Sequence, residues 1–210
     1  MALDPKKTLD SYRARKGELR LVEVPAMQYL MIDGAGDPNA APEYAEAVSA
    51  LFPVAYSLKF ASRAQLGVDT VVMPLEGLWH APDMQAFTTH RDKSAWLWTL
   101  MIMVPDHVTG DMFTAAVESV AVKLAAKRQP TAALRELRLD TLHEGLCVQT
   151  LHVGSYDDEA PVLDDMHHRF IPENRLRMTG RHHEIYLSDV RRVDAAKLRT
   201  ILRQPVERIA

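Results

Sequence analysis

Apolar positions change period several times along the chain. Over about 41–60, Tyr44, Val48, Leu51, Ala55 and Leu58 recur at three- and four-residue spacing, the stripe of an amphipathic helix. Pro42 suits the first turn of that helix. Pro53 is expected to kink or break it, because proline has no N–H to donate and crowds the preceding turn. A second helix is predicted over about 110–127, with Phe113, Val117, Val120 and Leu124 on its apolar face and Pro130 beyond its end. A third is predicted over about 158–171, where Val162, Met166 and Phe170 lie four residues apart and Pro161 falls in the first turn.

Strand signals lie between the helices. Residues 26–32 end at the turn-forming run Asp33-Gly34-Ala35-Gly36-Asp37-Pro38, and residues 70–79 and 94–104 are rich in β-branched and aromatic side chains. Further strands are predicted over 146–153, 183–188 and 199–206. Taken in order, strand 27–33, helix 41–58 and strands 70–79 and 95–104 match strand 146–153, helix 158–171 and strands 182–188 and 199–206. The text agrees at the first junction, where Leu30-Met31-Ile32-Asp33-Gly34 leads to Ala41-Pro42 and Leu151-His152-Val153-Gly154 leads to Ala160-Pro161. The fold class expected is α+β. Two repeated strand-helix-strand-strand (SHS2) modules are expected to be related by a pseudo-twofold, with an antiparallel sheet and a cleft between the halves. Residues 1–20 read as an N-terminal extension, module one as about 21–108, a connecting helix as about 109–128, and module two as about 130–206.

Composition narrows the class. Of 210 residues, 47% are hydrophobic and 25% charged, the balance of a folded globular chain. A net charge of −3 gives no electrostatic reason to expect nucleic acid or an anionic membrane as partner. Met1–Lys16 has no apolar signal-peptide core, and the apolar run Trp96–Pro105 is too short to span a bilayer. The single cysteine, Cys147, allows no internal disulfide and reads as a buried strand residue, so a cytoplasmic location is expected.

Other chemistry is set aside. His182 and His183 point to opposite faces of a strand, and His167 and His168 lie about 100° apart on a helix. His143-Glu144 lacks a second histidine at metalloprotease spacing, so surface histidines, no metal and no cofactor are expected. Gly34-Ala35-Gly36 lacks the third glycine of a dinucleotide loop, and there is no Walker A lysine or G-x-S-x-G elbow.

Several separate motifs carry a family resemblance. The longest is His182-His183-Glu184-Ile185-Tyr186-Leu187-Ser188-Asp189-Val190-Arg191-Arg192, followed by residues 197–206. Leu75-Glu76-Gly77-Leu78-Trp79, Trp96-Leu97-Trp98 with Pro105-Asp106, and His152-Val153-Gly154-Ser155-Tyr156 running on to Pro161 support it. In this order they make residues 21–206 resemble the GyrI-like small-molecule-binding family. The resemblance implies duplicated modules and a ligand pocket with an acidic residue. In related transcription regulators such a domain follows a DNA-binding helix-turn-helix and senses amphipathic, often cationic drugs. Some stand-alone members resemble hydrolases that open cyclopropane-bearing alkylating natural products, and others are linked to protection of DNA gyrase. Only about twenty residues precede the first strand here, so no DNA-binding module and no direct nucleic-acid binding are expected.

Strand alternation then selects candidates. His182, Glu184 and Tyr186 share one face, while His183, Ile185 and Leu187 share the other, which reads as mainly core. Trp96 and Trp98 fall together on their strand, and Trp79 ends the earlier one. The expected ligand-binding set is Trp79, Trp96, Trp98, Glu184 and Tyr186, a flat aromatic slot with one negative charge. It suits a planar or cationic organic ligand, each ring contributing roughly 0.5 to 2 kcal/mol towards a cation. In an enzyme, Glu184 is the expected general base and Tyr186 the hydrogen-bond donor to a departing oxygen. The plainer alternatives are tryptophans that pack the core, an exposed strand acid at Glu184, and a Tyr186 that caps its strand or meets a second subunit. Three functions stay open: binding or sensing of xenobiotic-like compounds, their hydrolytic detoxification, and a gyrase-protecting interaction.

Overall fold

The computed structural model describes residues 2–81 and 92–209; the part of the expected first module from 82 to 91 lies outside them. In chain order the elements are α1 (Pro5–Thr8), β1 (Arg20–Val24), β2 (Met27–Ala35), α2 (Pro42–Leu66), β3 (Glu76–His80), β4 (Leu97–Val104), α3 (Gly110–Ala126), β5 (Arg138–Leu142), β6 (Gly145–Val153), α4 (Ala160–Asp164), α5 (Ile171–Glu173), β7 (Leu176–Met178), β8 (His182–Tyr186) and β9 (Arg199–Arg208). Every ladder described between these strands is antiparallel, so the class is α+β. No described helix is long and apolar enough to cross a membrane. The described chain divides into two compact units, one built from residues 2–5, 27–73, 81 and 92–142, the other from 6–26, 74–80 and 143–209.

In the first unit β2 is the middle strand, pairing with β4 from Gln28↔Val104 to Ala35↔Leu97 and with β5 from Met27↔Leu142 to Met31↔Arg138. α2 packs on β2 and β4 and against α3. Tyr29 to Ile32 and Trp98 to Val104 are buried without alternation, as expected where a strand is covered on both faces. α2 runs unbroken past Pro53, contrary to the expected break. Proline removes one backbone hydrogen bond, but Leu51, Val54, Ala55 and Leu58 on both sides of it are buried, and that burial outweighs the single lost bond. The predicted strand over 70–79 shortens to Glu76–His80, with Pro74 just before it, and these residues belong to the second unit. β5 escaped the sequence pattern because it is partly exposed and carries Asp140 and Thr141 outward.

The second unit orders its strands β1-β6-β9-β8-β3, with β7 on the far end of β9. On one face Val148 and Leu202 pack with Met166, Ile171, Leu176 and Val206 into an apolar cluster. Met166 and Ile171 are five residues apart and both are buried, because a π turn over Asp165–Phe170 joins α4 to α5 and widens the helix by one residue. Ser11 to Arg13 lie against the other face, where Gln149 and Arg203 donate to the Arg13 and Ser11 carbonyls, and Lys16 bridges to the edge of β6 at Leu151.

Candidate functional site

Cross-strand partners share a face, so the register of β3, β8 and β9 defines which side chains meet. Trp79 pairs with His182, Gly77 with Glu184, Glu184 with Leu202, and Tyr186 with Thr200. On this face Tyr186 Oη accepts from Trp79 Nε1 at 3.0 Å and donates to Glu184 Oε2 at 2.8 Å. The other Glu184 oxygen lies 3.6 Å from His182 Nε2. Trp79 is buried, while the Glu184 side chain keeps 15% exposure, so the carboxylate stands at the open end of an indole–phenol–carboxylate chain. Each hydrogen bond in such a chain polarises the next.

Gly77 is the residue that lets this chain close. A Cβ there would stand 2.8 Å from Trp79 Nε1 and 3.2 Å from Tyr186 Oη, inside normal contact distance. Gly77→Ala is therefore expected to displace the indole, cost about 1–3 kcal/mol of unfolding free energy, and shift tryptophan fluorescence. A substitution with unchanged stability and emission would show that the close approach has no structural role.

Two groups that the sequence reading missed complete the face. The Tyr156 ring meets Tyr186 edge-on at 5.6 Å and is 39% exposed, so it forms a rim. Burial, followed by the charges of Glu184 and Glu159, pushes its phenol up to about 12. Glu159, at the start of α4, is 4% exposed and its Oε1 has no hydrogen-bond partner among the described residues. Burial first, and then the charge of Glu184, drive its carboxyl up to about 10, so it is protonated at neutral pH. His167 stands edge-on to His182 at 6.2 Å, and burial, reinforced by His182 and His168, lowers it to about 4.

The reverse face of the same strands is buried, as its core reading implied, but beside Leu78, Ile185 and Ile201 it holds a charged cluster. His183 is fully buried, with Nε2 2.9 Å from Glu76 Oε2 and Nδ1 3.0 Å from Glu144 Oε1. Two carboxylate partners require both ring nitrogens to carry protons. Burial works against that charge, but Glu144 and Glu76 outweigh it and raise the imidazole. Arg203 donates from Nη1 to Glu144 Oε2 at 2.7 Å, from Nε to Gln149 at 3.2 Å, and from Nη2 to the Ser11 carbonyl at 2.5 Å. Burial alone would raise Glu144, yet His183 and Arg203 hold it at about 2. Tyr12 donates to Glu76 Oε1 at 2.5 Å, so residues 10–13 are tied to this network. Surface histidines were expected where no core face claimed them; His152 is instead buried, with Nε2 2.9 Å from the Ser155 carbonyl oxygen, and His183 is buried as its core-facing strand position implied.

Trp96 and Trp98 belong to the first unit. Trp98 is 1% exposed and lies flat over Gly34, its cross-strand partner, where a Cβ would approach Cη2 to 2.0 Å. Tyr44 meets that indole edge-on at 5.4 Å. Trp96 precedes β4 at the end of a 3₁₀ turn, half-buried, with Lys93 Nζ 5.7 Å above its ring. The second unit thus brings together Trp79, Glu184 and Tyr186 from the predicted set. Cys147 is a buried strand residue, and burial followed by the charge of Glu144 pushes its thiol up to about 12, which leaves it a poor nucleophile.

The chain belongs to the GyrI-like family, whose small-molecule-binding-domain model matches residues 17–207. Among solved structures it is similar to an uncharacterized conserved protein from Listeria innocua, with 37% identity, 98% of this chain and 100% of that one covered, and a TM-score of 0.85. It is also similar to two structures described as hydrolases from Listeria innocua. One has 36% identity, 98% and 100% coverage and a TM-score of 0.82. The other has 36% identity, 99% and 100% coverage and a TM-score of 0.83. No curated protein matches the chain.

Proposed function

We propose that the face carrying Trp79, Glu184 and Tyr186, with Tyr156 at its rim, holds the ligand of this domain, a flat, xenobiotic-like organic molecule with a cationic or electron-poor centre. The observation that carries this reading is the Tyr186 hydroxyl set between the Trp79 indole and the Glu184 carboxylate. It fixes one negative charge beside aromatic surface, and a partly exposed carboxylate in that setting gains a counter-charge when a cation settles on the rings.

A second reading is hydrolysis, favoured by the same Glu184–Tyr186 contact and by the description of two relatives 36% identical as hydrolases. In a cyclopropane conjugated to a dienone, water oxygen would bond to a ring carbon while a ring C–C bond breaks. The electron pair passes to the carbonyl oxygen and Glu184 receives the proton of the water; Tyr186 then turns its O–H to that oxygen and gives up its proton there, while taking the proton from Glu184, which restores both groups. The net change is addition of one water.

Incubating the protein with a panel of planar cationic dyes and one cyclopropane-dienone alkylator, followed by mass spectrometry, tests both. Retention of unchanged dyes with micromolar or tighter affinity supports the binding reading. A gain of one water on the alkylator establishes turnover. If every compound is recovered unbound and unaltered, both readings fall.

A further inference from the structure

Glu159 sits where an acidic residue is hard to accommodate. It closes the run Asp157-Asp158-Glu159, yet Asp157 and Asp158 are exposed and Glu159 alone is turned inward. One of its oxygens lies in the interior with no hydrogen-bond partner among the described residues. Around it stand Glu184 from β8, Thr200 from β9, and Tyr156 and Asp157 from its own turn. Thr200 in turn faces Tyr186 on β8 and His152 on β6 in the strand register. No described lysine or arginine forms an ion pair with Glu159, so its ionised form has no counter-charge among the described residues.

We infer that Glu159 is a second acidic residue of the ligand site, and that it releases its proton to water when a dicationic aromatic ligand enters. This rests on the reading that Glu184 meets a cationic ligand. The unliganded site then carries the charge of Glu184 alone. A monocation is matched by that single charge. A dication brings a surplus positive charge beside Glu159, which cancels the repulsion from Glu184 and favours the ionised form. The O–H bond of the carboxyl breaks, its proton passes to buffer, and no further reactant is needed. The site so adjusts its charge to its occupant, and selects aromatic dications more strongly as pH rises.

Titration calorimetry of the intact chain near neutral pH, in phosphate and in Tris, reads the proton count from the difference in buffer ionisation heats. The probes are ethidium, a planar monocation, and DAPI, a planar dication. DAPI is expected to release close to one proton per molecule bound and ethidium clearly less. Between pH 8 and 9, above the ordinary imidazole range, wild-type affinity for DAPI is expected to rise about tenfold per pH unit. Glu159→Gln is expected to remove both the release and the slope. DAPI binding with no proton exchange and a flat slope overturns the role of Glu159 while the Glu184 reading stands. Release that persists in Glu159→Gln also overturns it. Failure of both dyes to bind removes the two proposals together. If Glu159→Gln does not fold, the wild-type slope between pH 8 and 9 still decides.

Discussion

Glu184→Gln is expected to weaken binding of planar cations by about 10- to 100-fold, the loss that follows when a hydrogen bond or contact to a charged group becomes one to a neutral group. The substitution preserves shape, and its amide oxygen can still accept from Tyr186, so the 2.8 Å contact to Oε2 has a replacement. What disappears is the charge. With 15% side-chain exposure the carboxylate is partly desolvated, so water screens it less than it screens a surface acid. If the protein also turns over a cyclopropane substrate, the same change is expected to lower kcat by about 10²- to 10⁴-fold, because an amide cannot take the proton of the attacking water. The melting temperature is expected to stay close to that of wild type, since Tyr186 and Trp79 keep their partners. Unchanged dye affinity together with unchanged turnover would remove Glu184 from the site.

Arg203→Met is expected to cost about 3–5 kcal/mol of unfolding free energy in urea denaturation, because it leaves Glu144 buried without its closest cationic partner. Against the usual total of about 5–15 kcal/mol this is a large share. The pH dependence has a definite sign. Glu144 ionises at about 2 in the fold and near 4.5 as a free side chain, so its contribution is complete above 4.5 and fades as pH falls towards 2. The difference between wild type and Arg203→Met is therefore expected to be largest above pH 4.5 and to shrink below it. His183 acts in the opposite direction. Its raised imidazole stabilises the fold fully below its ordinary 6.5, and that contribution is lost as pH rises through the higher folded value. A loss below 1 kcal/mol, or one independent of pH between 5 and 2, would mean that the network contributes little.

The two faces of β8 show how far local pattern reaches. That His182, Glu184 and Tyr186 share a face follows from a period of two, a property of any strand, and the register confirms the pairing of Glu184 with Gly77 and of Tyr186 with Thr200. The apolar stripe of α2 was legible for the same reason, since helical period is written in neighbouring residues; α3 was placed, but it buries Met112, Ala116 and Val120, of which only Val120 lay on the predicted face. The break expected at Pro53 was not, because the burial that overrides it comes from the strands and helix packed around α2.

Charge balance inside the fold lay beyond any local pattern. Asp157-Asp158-Glu159 is three acids in a row, and only packing decides that Glu159 alone is enclosed. His183 reads as a core-facing residue of an apolar set; its partners Glu144 and Glu76 lie 39 and 107 residues away in the chain. The Trp79–Tyr186 hydrogen bond likewise spans 107 residues. The sequence by itself determined the α+β class, the family, and the face on which Glu184 and Tyr186 stand, because these depend on periodicity and on contiguous motifs. The tertiary structure alone decided which acid is enclosed, which histidine lies between two carboxylates and which indole reaches the Glu184 carboxylate through Tyr186. Those properties depend on burial and on distances between groups far apart in the chain.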